Sequence, residues 1–438
     1  MIKDLLTELK ERGLIEYTAE SCENNLKDFF SPKNRKNKGV YTGADPSAKS
    51  LHLGNYATYI VIKWLAKEGY PVYSLVGGIT GLIGDPRDPI FSGSDAKERD
   101  LTEIKTIEEN VKCISKQFKE ILKSKNVINN LDFYKNMSVW EYLREIGKRI
   151  NVNYILAKDT VARRLENGIS YAEFSYNLLQ GWDWTTMYFD GMKQKKYVKH
   201  QMVCQFGGGD QWGNITTGLE FIRKKCNELN IENKACCFGI KLYLKPDGTK
   251  FGKTASGAVW LDEKMTSNYS FYQYLFNQPD DAIKSLLYRF TLLPRKEIDE
   301  IMKLHEKEPF KRIGQRKLAY VITKDVRGEK GLKEALEVSR ILFSGSLEES
   351  SVDLQKKVVD HIPNKVFLKG KKEIGIIDVL IQSNICKSSS EARKLIEQKA
   401  IKYDNQIITD IKYVFKNSNK IEFIKKGVRI YIVLDWKK

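Results

Sequence analysis

The sequence is short of the residues that would announce a metal centre, a disulfide scaffold or a membrane segment. Its four histidines, His52, His200, His305 and His361, lie too far apart to form a helical metal motif. Its seven cysteines are scattered, with only Cys236 and Cys237 adjacent, so neither a disulfide framework nor a CxxC knuckle is present. No apolar run reaches membrane-spanning length, and the first residues include Asp4 and Glu8, unlike a signal or transit peptide. Internal repeats and strong low-complexity tracts are also lacking. The glycines from Gly77 to Gly84 do not follow the G-x-G-x-x-G order of a dinucleotide fingerprint. What these absences leave is a globular protein without a resident metal, expected in a reducing cytoplasm.

The chain has 438 residues, and at roughly 150 per domain it is expected to form about three domains. The hydrophobic fraction of 42% and charged fraction of 30% are globular values. With 74 Lys and Arg against 56 Asp and Glu, the net charge is +18 and the pI about 9.3. That balance favours an anionic partner such as nucleic acid, phosphate or a membrane surface, although a lysine-rich proteome would produce it too.

The most organised stretch runs from Tyr41 to Tyr56. Gly39 to Ala44 reads as a short buried strand. Tyr56, Ile60 and Trp64 then recur at helical spacing until Gly69, and Pro71 to Val76 reads as a second strand. In such a βαβ unit the loop after the first strand opens at the carboxyl edge of a parallel sheet, where a helix N-terminus offers N–H groups to phosphate. His52 and Asn55 are three apart and both can face one ligand in the first helical turn. Gly43 and Gly54 lack a Cβ where a ligand would approach the backbone.

Further along, Tyr171 to Tyr188 reads as a helix on which Tyr176, Gln180 and Asp183, spaced i, i+4 and i+7, share one face. Amid Phe174, Leu178, Leu179 and Trp182 this polar stripe is either the solvent face or a binding face. Gln205-Phe-Gly-Gly-Gly-Asp210-Gln211-Trp212-Gly213-Asn214 places glycines after a strand, where a ligand can meet the backbone. Lys245-Pro-Asp-Gly-Thr-Lys250-Phe-Gly-Lys253-Thr254 reads as a loop, with Pro246 and Gly248 making a turn and Gly252 a hinge. From Lys371 onward there are 15 basic and 8 acidic residues. There Ser388-x-x-Glu391 is a capping box opening a helix whose Ala392, Leu395 and Ile396 face inward and whose Arg393, Lys394 and Lys399 face outward.

Taken together and in this order, these segments resemble the class I aminoacyl-tRNA synthetases, and among them the bacterial tyrosine–tRNA ligases. His52-Leu-Gly-Asn55 is similar to the His-Ile-Gly-His signature, with Asn55 replacing the second histidine. Lys250-Phe-Gly-Lys253-Thr254 resembles the Lys-Met-Ser-Lys-Ser loop, although Ala255 stands where the family often has Glu. Tyr-Asn-Leu-Leu-Gln-x-x-Asp and Gly-Gly-x-Asp-Gln-Trp-Gly-Asn are both matched.

The resemblance implies an α/β fold: a Rossmann-like parallel-sheet catalytic domain over 1–258, with a helical dimer-forming insertion at about 101–170 and a mobile loop at 245–256. An α-helical anticodon-binding domain at 259–345, a linker at 346–370 and a small α+β RNA-binding domain at 371–438 would follow. It also implies tyrosine, ATP with its Mg²⁺, and tRNA as partners of a homodimer. Tyrosine would be held by Tyr41, Asp85, Tyr176, Gln180, Asp183 and Gln211. ATP would meet Asp45, Ser47, His52, Gly54, Asn55, Gly208, Asp210, Lys250 and Lys253. Catalysis would rest on His52, Asn55, Lys250, Lys253 and Thr254. Arg393, Lys394 and Lys399 would face RNA, and the basic stretch Gly191 to His200 is read either as a solvated loop or as a further tRNA contact.

Overall fold

The computed structural model describes residues 4–86, 98, 102–165, 168–241, 243, 251–254, 257–344, 352–404, 406–427 and 430–437. The chain divides into two compact units. One comprises residues 1–267 with 274–327, the other 268–273 with 328–438.

The first unit is built on six strands: β1 (Tyr17–Thr18), β2 (Gly39–Ala44), β3 (Val72–Val76), β4 (Asn126–Asn129), β5 (Met202–Gly208) and β6 (Cys236–Ile240). They are ordered β1-β6-β5-β2-β3-β4, all parallel except β1 on β6. β3, β5 and β6 are buried along their whole length, as strands covered on both faces by helices must be. The order reverses between β2 and β5, and at such a reversal a crevice opens beyond the carboxyl ends of the strands.

α1 (Leu5–Glu11) and α2 (Glu23–Phe30) precede β2. α3 (Leu53–Lys67) follows it and buries Tyr56, Ile60 and Trp64, the residues whose spacing predicts it. α4 (Ile104–Glu120) leads into β4. The helical periodicity over 101–151 thus conceals a strand, because Asn-Val-Ile-Asn is too short to break the pattern of the helix before it. α5 (Tyr171–Met192) and α6 (Trp212–Glu228) flank β5 in the chain. Between α5 and β5, Asp190 accepts from the N–H groups of Lys196, Tyr197 and Val198 at 2.8–2.9 Å, so the lysine-rich connection is held by a carboxylate.

The helical segment expected as a separate domain from residue 259 divides. α7 (Asp280–Phe290), α8 (Arg295–Lys307) and the first part of α9 (Ile313–Ser344) belong to the first unit. Polar ties account for this: Arg12 donates to Tyr288 O at 3.2 Å and to Leu293 O at 2.6 Å, while Asp325 accepts from Tyr56 and Lys63 of α3. α9 is interrupted at Gly328, whose φ of +70° lies where only glycine is unstrained, and the second unit begins there.

In the second unit, α10 (Val352–Val359) and β9 (Lys365–Phe367) occupy what was expected to be linker. They are ordered because Val358, Val359 and Ile362 bury themselves against Val338, Ile341, Tyr431 and Val433. β10 (Glu373–Gly375) and β13 (Val414–Lys416) pair separately. β9 forms a five-stranded sheet with β11 (Ile401–Tyr403), β12 (Gln406–Ile407), β14 (Ile421–Lys426) and β15 (Ile430–Asp435). α11 (Ile376–Gln382) and α12 (Ser389–Glu397) pack on this core through Ile376, Val379, Leu380, Ala392 and Ile396. Ser388 caps α12 by accepting from Glu391 N at 3.3 Å, but the Glu391 carboxylate accepts from Lys387 N rather than closing the box on Ser388.

Candidate active site

The crevice at the β2/β5 reversal is a cleft of about 380 Å³, a size suited to a small-molecule ligand. Tyr176, Gln180 and Asp183 all line it, so the polar stripe of α5 is a cleft face and not a solvent face.

At its most buried end, Asp183 is 1% exposed and its carboxylate accepts from Tyr134 Oη at 2.7 Å and from Asn130 Nδ2 at 3.0 Å. Loss of water pushes its pKa up to about 7, against the two hydrogen bonds, with the Asp45 charge adding to the rise. Nearby, Tyr41 Oη is buried without a hydrogen-bond partner, and burial together with the Asp183 charge pushes its pKa well up. A buried hydroxyl with no partner costs stability, and such groups mark places where a ligand completes the network.

A second carboxylate, Asp85, accepts from Gln211 Nε2 at 2.6 Å and Asn214 Nδ2 at 3.0 Å. Desolvation pushes its pKa up to about 7, and the charges of Asp45 and Asp210 push the same way. Asn214 Nδ2 also reaches Gln180 Oε1 at 3.0 Å and is itself fixed by Asn177, which donates to its Oδ1 at 2.7 Å. Asp45 joins the two halves: it accepts from Thr80 Oγ1 at 2.8 Å and from Tyr176 Oη at 3.0 Å. Tyr176 and Gln180 therefore orient carboxylates and amides in the resting cleft.

Asp45, Ser47, His52, Gly54 and Asn55 line the cleft on the α3 side, and Gly208, Asp210 and Gln211 line it from β5 and the turn after it. His52 is the N-cap of α3. Its Nδ1 accepts from Asn55 N at 3.3 Å while Asn55 Oδ1 accepts from His52 N at 3.0 Å. An Nδ1 that accepts carries no proton, so the tautomer that fits these bonds has its N–H on Nε2. Asn55 is likewise left with its Nδ2 donors as its outward end.

The expectation that the α3 N-terminus offers backbone N–H groups to a ligand is narrowed to Gly54 N, because those of Leu53 and Asn55 are already bonded. Leu53 N donates to Val259 O at 2.7 Å and Asn55 N to His52. The purpose of Gly54 changes as well. A Cβ there would lie 2.9 Å from Phe251 O, and a Cβ on Gly252 would lie 2.6 Å from Gly54 N. The glycine pair lets two backbones touch, which brings the Phe251–Thr254 segment against the His52 turn. His52 also bridges Trp260, and Leu261 N donates to Leu51 O at 2.8 Å.

Lys250 lies outside the described residues, as do the side chains of Lys253 and Thr254, whose backbones form β7 (Lys253–Thr254), paired with β8 (Gly257–Ala258). Ala255 falls outside them too. Arg393, Lys394 and Lys399 are exposed in the second unit and take no part in the cleft.

Sequence reasoning missed five residues of this network: Thr80, Asn130, Tyr134, Asn177 and Asn214. Asn214 stood in a quoted motif without a role. Asn130 follows the last residue of β4, Asn129, and this asparagine pair is a polar stop at a strand end facing the cleft. In chemical terms the cleft offers four carboxylates, Asp45, Asp85, Asp183 and Asp210, to cationic or hydroxyl-bearing groups of a ligand, and imidazole and amide N–H groups to an anion near α3.

A family model described as tRNA synthetases class I (W and Y) matches residues 33–344, and one described as the tyrosine–tRNA ligase SYY-like C-terminal domain matches residues 353–434. The chain is 40% identical over 439 residues to the tyrosine–tRNA ligase of Ureaplasma urealyticum serovar 10, and 41% identical over 444 residues to that of Mycoplasma mobile. In both cases 99% of each chain is covered. Among solved structures, a C-terminally truncated Aspergillus nidulans mitochondrial tyrosyl-tRNA synthetase is 28% identical with a TM-score of 0.65, covering 78% of this chain and 95% of that one.

Proposed function

Since the chain belongs to the class I tRNA synthetases, as a tyrosine–tRNA ligase, we propose a division of labour among the residues of its cleft. The reaction joins tyrosine to ATP as tyrosyl-adenylate, releasing pyrophosphate, and then transfers tyrosine to the 3′-terminal ribose of its tRNA. The attacking tyrosine carboxylate is already ionised at neutral pH. The enzyme therefore supplies position and charge stabilisation and needs no general base.

In this reading Asp183 accepts from the phenol and Tyr41 reaches the same oxygen. Asp85, aided by Tyr176, Gln180 and Gln211, holds the ammonium. Asp210 accepts from the ATP ribose, with Asp45, Ser47, Gly54 and Gly208 completing the nucleotide's surroundings. His52 Nε2 and Asn55 Nδ2 donate to the phosphates, and Lys250, Lys253 and Thr254 close over pyrophosphate. Mg²⁺ carried with ATP would neutralise part of the phosphate charge that His52, Asn55, Lys250 and Lys253 also meet. Among the described residues no group of three His, Cys, Asp or Glu could cage it. The observation carrying the proposal is the orphaned Tyr41 hydroxyl beside an Asp183 already braced by Asn130 and Tyr134. Tyrosine-dependent exchange of labelled pyrophosphate into ATP tests it, and absence of exchange in folded protein would sink it.

We assign residues 1–258 to catalysis together with the Val259–Leu261 run that meets His52, the helices of the remaining 259–345 to anticodon contact, and 371–438 to RNA, with Arg393, Lys394 and Lys399 facing phosphate. A homodimer through the insertion is supported by the exposure of Val139, Trp140, Leu143 and Val152, each at least half exposed. No described helix is long and apolar enough to cross a membrane, and a cytoplasmic location agrees with that.

A further inference from the structure

We propose that Arg327 and Asp325, neither of which lines the cleft, are positioning residues for the nucleotide side of the reaction. They would act by clamping the two segments that meet at His52. The proposal rests on the reading of the cleft given above.

His52 stands where α3 begins, and its turn is crossed by the strand-like run Val259–Leu261. Leu53 N bonds Val259 O, Leu261 N bonds Leu51 O, and Trp260 bridges His52. This crossing also places the loop: Val259 N donates to Gly252 O at 2.8 Å, so the path of Phe251–Thr254 is set by where Val259–Leu261 sits. Two extended segments of three residues make a weak contact by themselves, since so few bonds are far from offsetting the entropy of ordering them.

Arg327 braces the outer side of that crossing. Its guanidinium donates to Leu261 O, to Trp260 O at 2.9 Å and to Thr266 O at 2.8 Å. Trp260 N in turn donates to Thr266 Oγ1 at 2.9 Å, so the three carbonyls belong to one folded turn. Desolvation lowers the Arg327 pKa to about 10, against the pull of Glu263 and Asp262. A guanidinium spreads five N–H donors over a fixed planar fork that meets carbonyls at different positions, whereas a lysine's three donors sit on a single nitrogen and meet them less well.

Asp325 braces the other partner. It accepts from Tyr56 Oη and Lys63 Nζ, both on α3 and nearly fully buried, with Tyr56 one turn beyond His52. Two residues apart on a helix, Asp325 and Arg327 project in different directions. One short piece of α9 thereby reaches both α3 and the Trp260 strand, and holds the His52 turn and the loop base in register. The tyrosine end depends on different elements, with Tyr41 on β2, Asp183 on α5 and the braces Asn130 and Tyr134 after β4.

This separation of supports makes the inference testable. In the full-length enzyme, Arg327→Ala should lower kcat for tyrosine-dependent pyrophosphate exchange by roughly 10²-fold, the size of effect that small misplacement produces, and should raise KM for ATP. The tyrosine Kd, read by fluorescence titration, should stay within about twofold. Arg327→Lys should fall between wild type and Arg327→Ala. Asp325→Asn keeps an acceptor for Tyr56 while giving up the charge opposite Lys63, and it should show the same selective loss in milder form. If Arg327→Ala fails to melt cooperatively, Arg327→Lys and Asp325→Asn decide the matter by the same split. Wild-type kinetics in the variants that fold would overturn the proposal. So would a tyrosine Kd that weakens in proportion to KM for ATP, since that pattern belongs to general loosening. Absence of exchange in the wild-type enzyme would instead defeat the functional reading on which the proposal stands.

Discussion

Tyrosine affinity should weaken as pH falls below 7, because the carboxylate assigned to the ammonium takes up its proton near pH 7 in the cleft. Asp85 has its pKa pushed up to about 7, chiefly by desolvation, and the charges of Asp45 and Asp210 add to the rise. If only ionised Asp85 binds the ammonium, the apparent Kd is the intrinsic value divided by the ionised fraction. It should be about twofold weaker at pH 7, about tenfold weaker at pH 6, and nearly unchanged at pH 8. Asp183 also titrates near 7, but a neutral carboxyl can still accept from a phenol, so its share of the dependence is smaller. Binding at pH 6 to 7 should release a proton, visible as a calorimetric enthalpy that varies with the buffer's ionisation enthalpy. Asp85→Asn should bind weakly with a nearly flat pH profile. The free protein gives a second readout of opposite sign. Both carboxyls have folded pKa values above the ordinary 3.8, so the folded state holds more protons between about 4 and 7, and stability should fall as pH rises through that window. A tyrosine Kd that is constant from pH 6 to 8, or an Asp85→Asn variant that keeps the wild-type profile, would refute the reasoning.

Tyr41→Phe removes a hydroxyl that has no partner in the free protein, so the melting temperature should hold or rise, while discrimination of tyrosine from phenylalanine narrows by about 1–3 kcal/mol, the cost of one unpaired buried group. An unchanged ratio of kcat/KM values for the two amino acids would remove Tyr41 from the phenol site. Trp140→Glu places a charge on the most apolar exposed part of the insertion and should shift sedimentation from dimer to monomer; a dimer that persists would locate the interface elsewhere. Joint replacement of Arg393, Lys394 and Lys399 by Glu should leave pyrophosphate exchange intact and lower tRNA affinity. Each lost phosphate contact should flatten the log–log salt dependence by a little under ~1. An unchanged slope would mean that this helix face only meets water.

The parts of the molecule that were legible in the sequence share a local origin. The βαβ unit shows in the period of Tyr56, Ile60 and Trp64, and the cleft face of α5 in the spacing of Tyr176, Gln180 and Asp183. What escaped depends on residues distant in the chain. Asn130 and Tyr134 reach Asp183 from about 50 positions away, and neither has a pattern of its own. Gly54 reads locally as room for a ligand, and only the return of Phe251 and Gly252 reveals that the room is taken by backbone. The helical segment after residue 259 has uniform periodicity, so nothing in it marks Gly328 as the place where one unit ends. That boundary depends on Arg12, Tyr56 and Lys63 drawing the earlier part toward the catalytic unit. The expected linker fails as a linker because Val358, Val359 and Ile362 find apolar partners at Tyr431 and Val433, some 70 residues later.

The position of β2 in the middle of the sheet has a consequence for how this chain is made. β2 pairs with β3 within about 30 residues, but its other edge pairs with β5, which begins at Met202. At synthesis rates of about 5–20 residues per second, roughly 160 residues separate the two, so the edge that will form half the catalytic cleft waits about 8–32 s for its neighbour. Throughout that interval Gly39, Val40 and Tyr41 present unpaired backbone groups on an almost wholly apolar strand, the kind of edge that recruits other chains. Variants that slow the stretch between β4 and β5 should therefore lower soluble yield without altering the activity of the molecules that do fold.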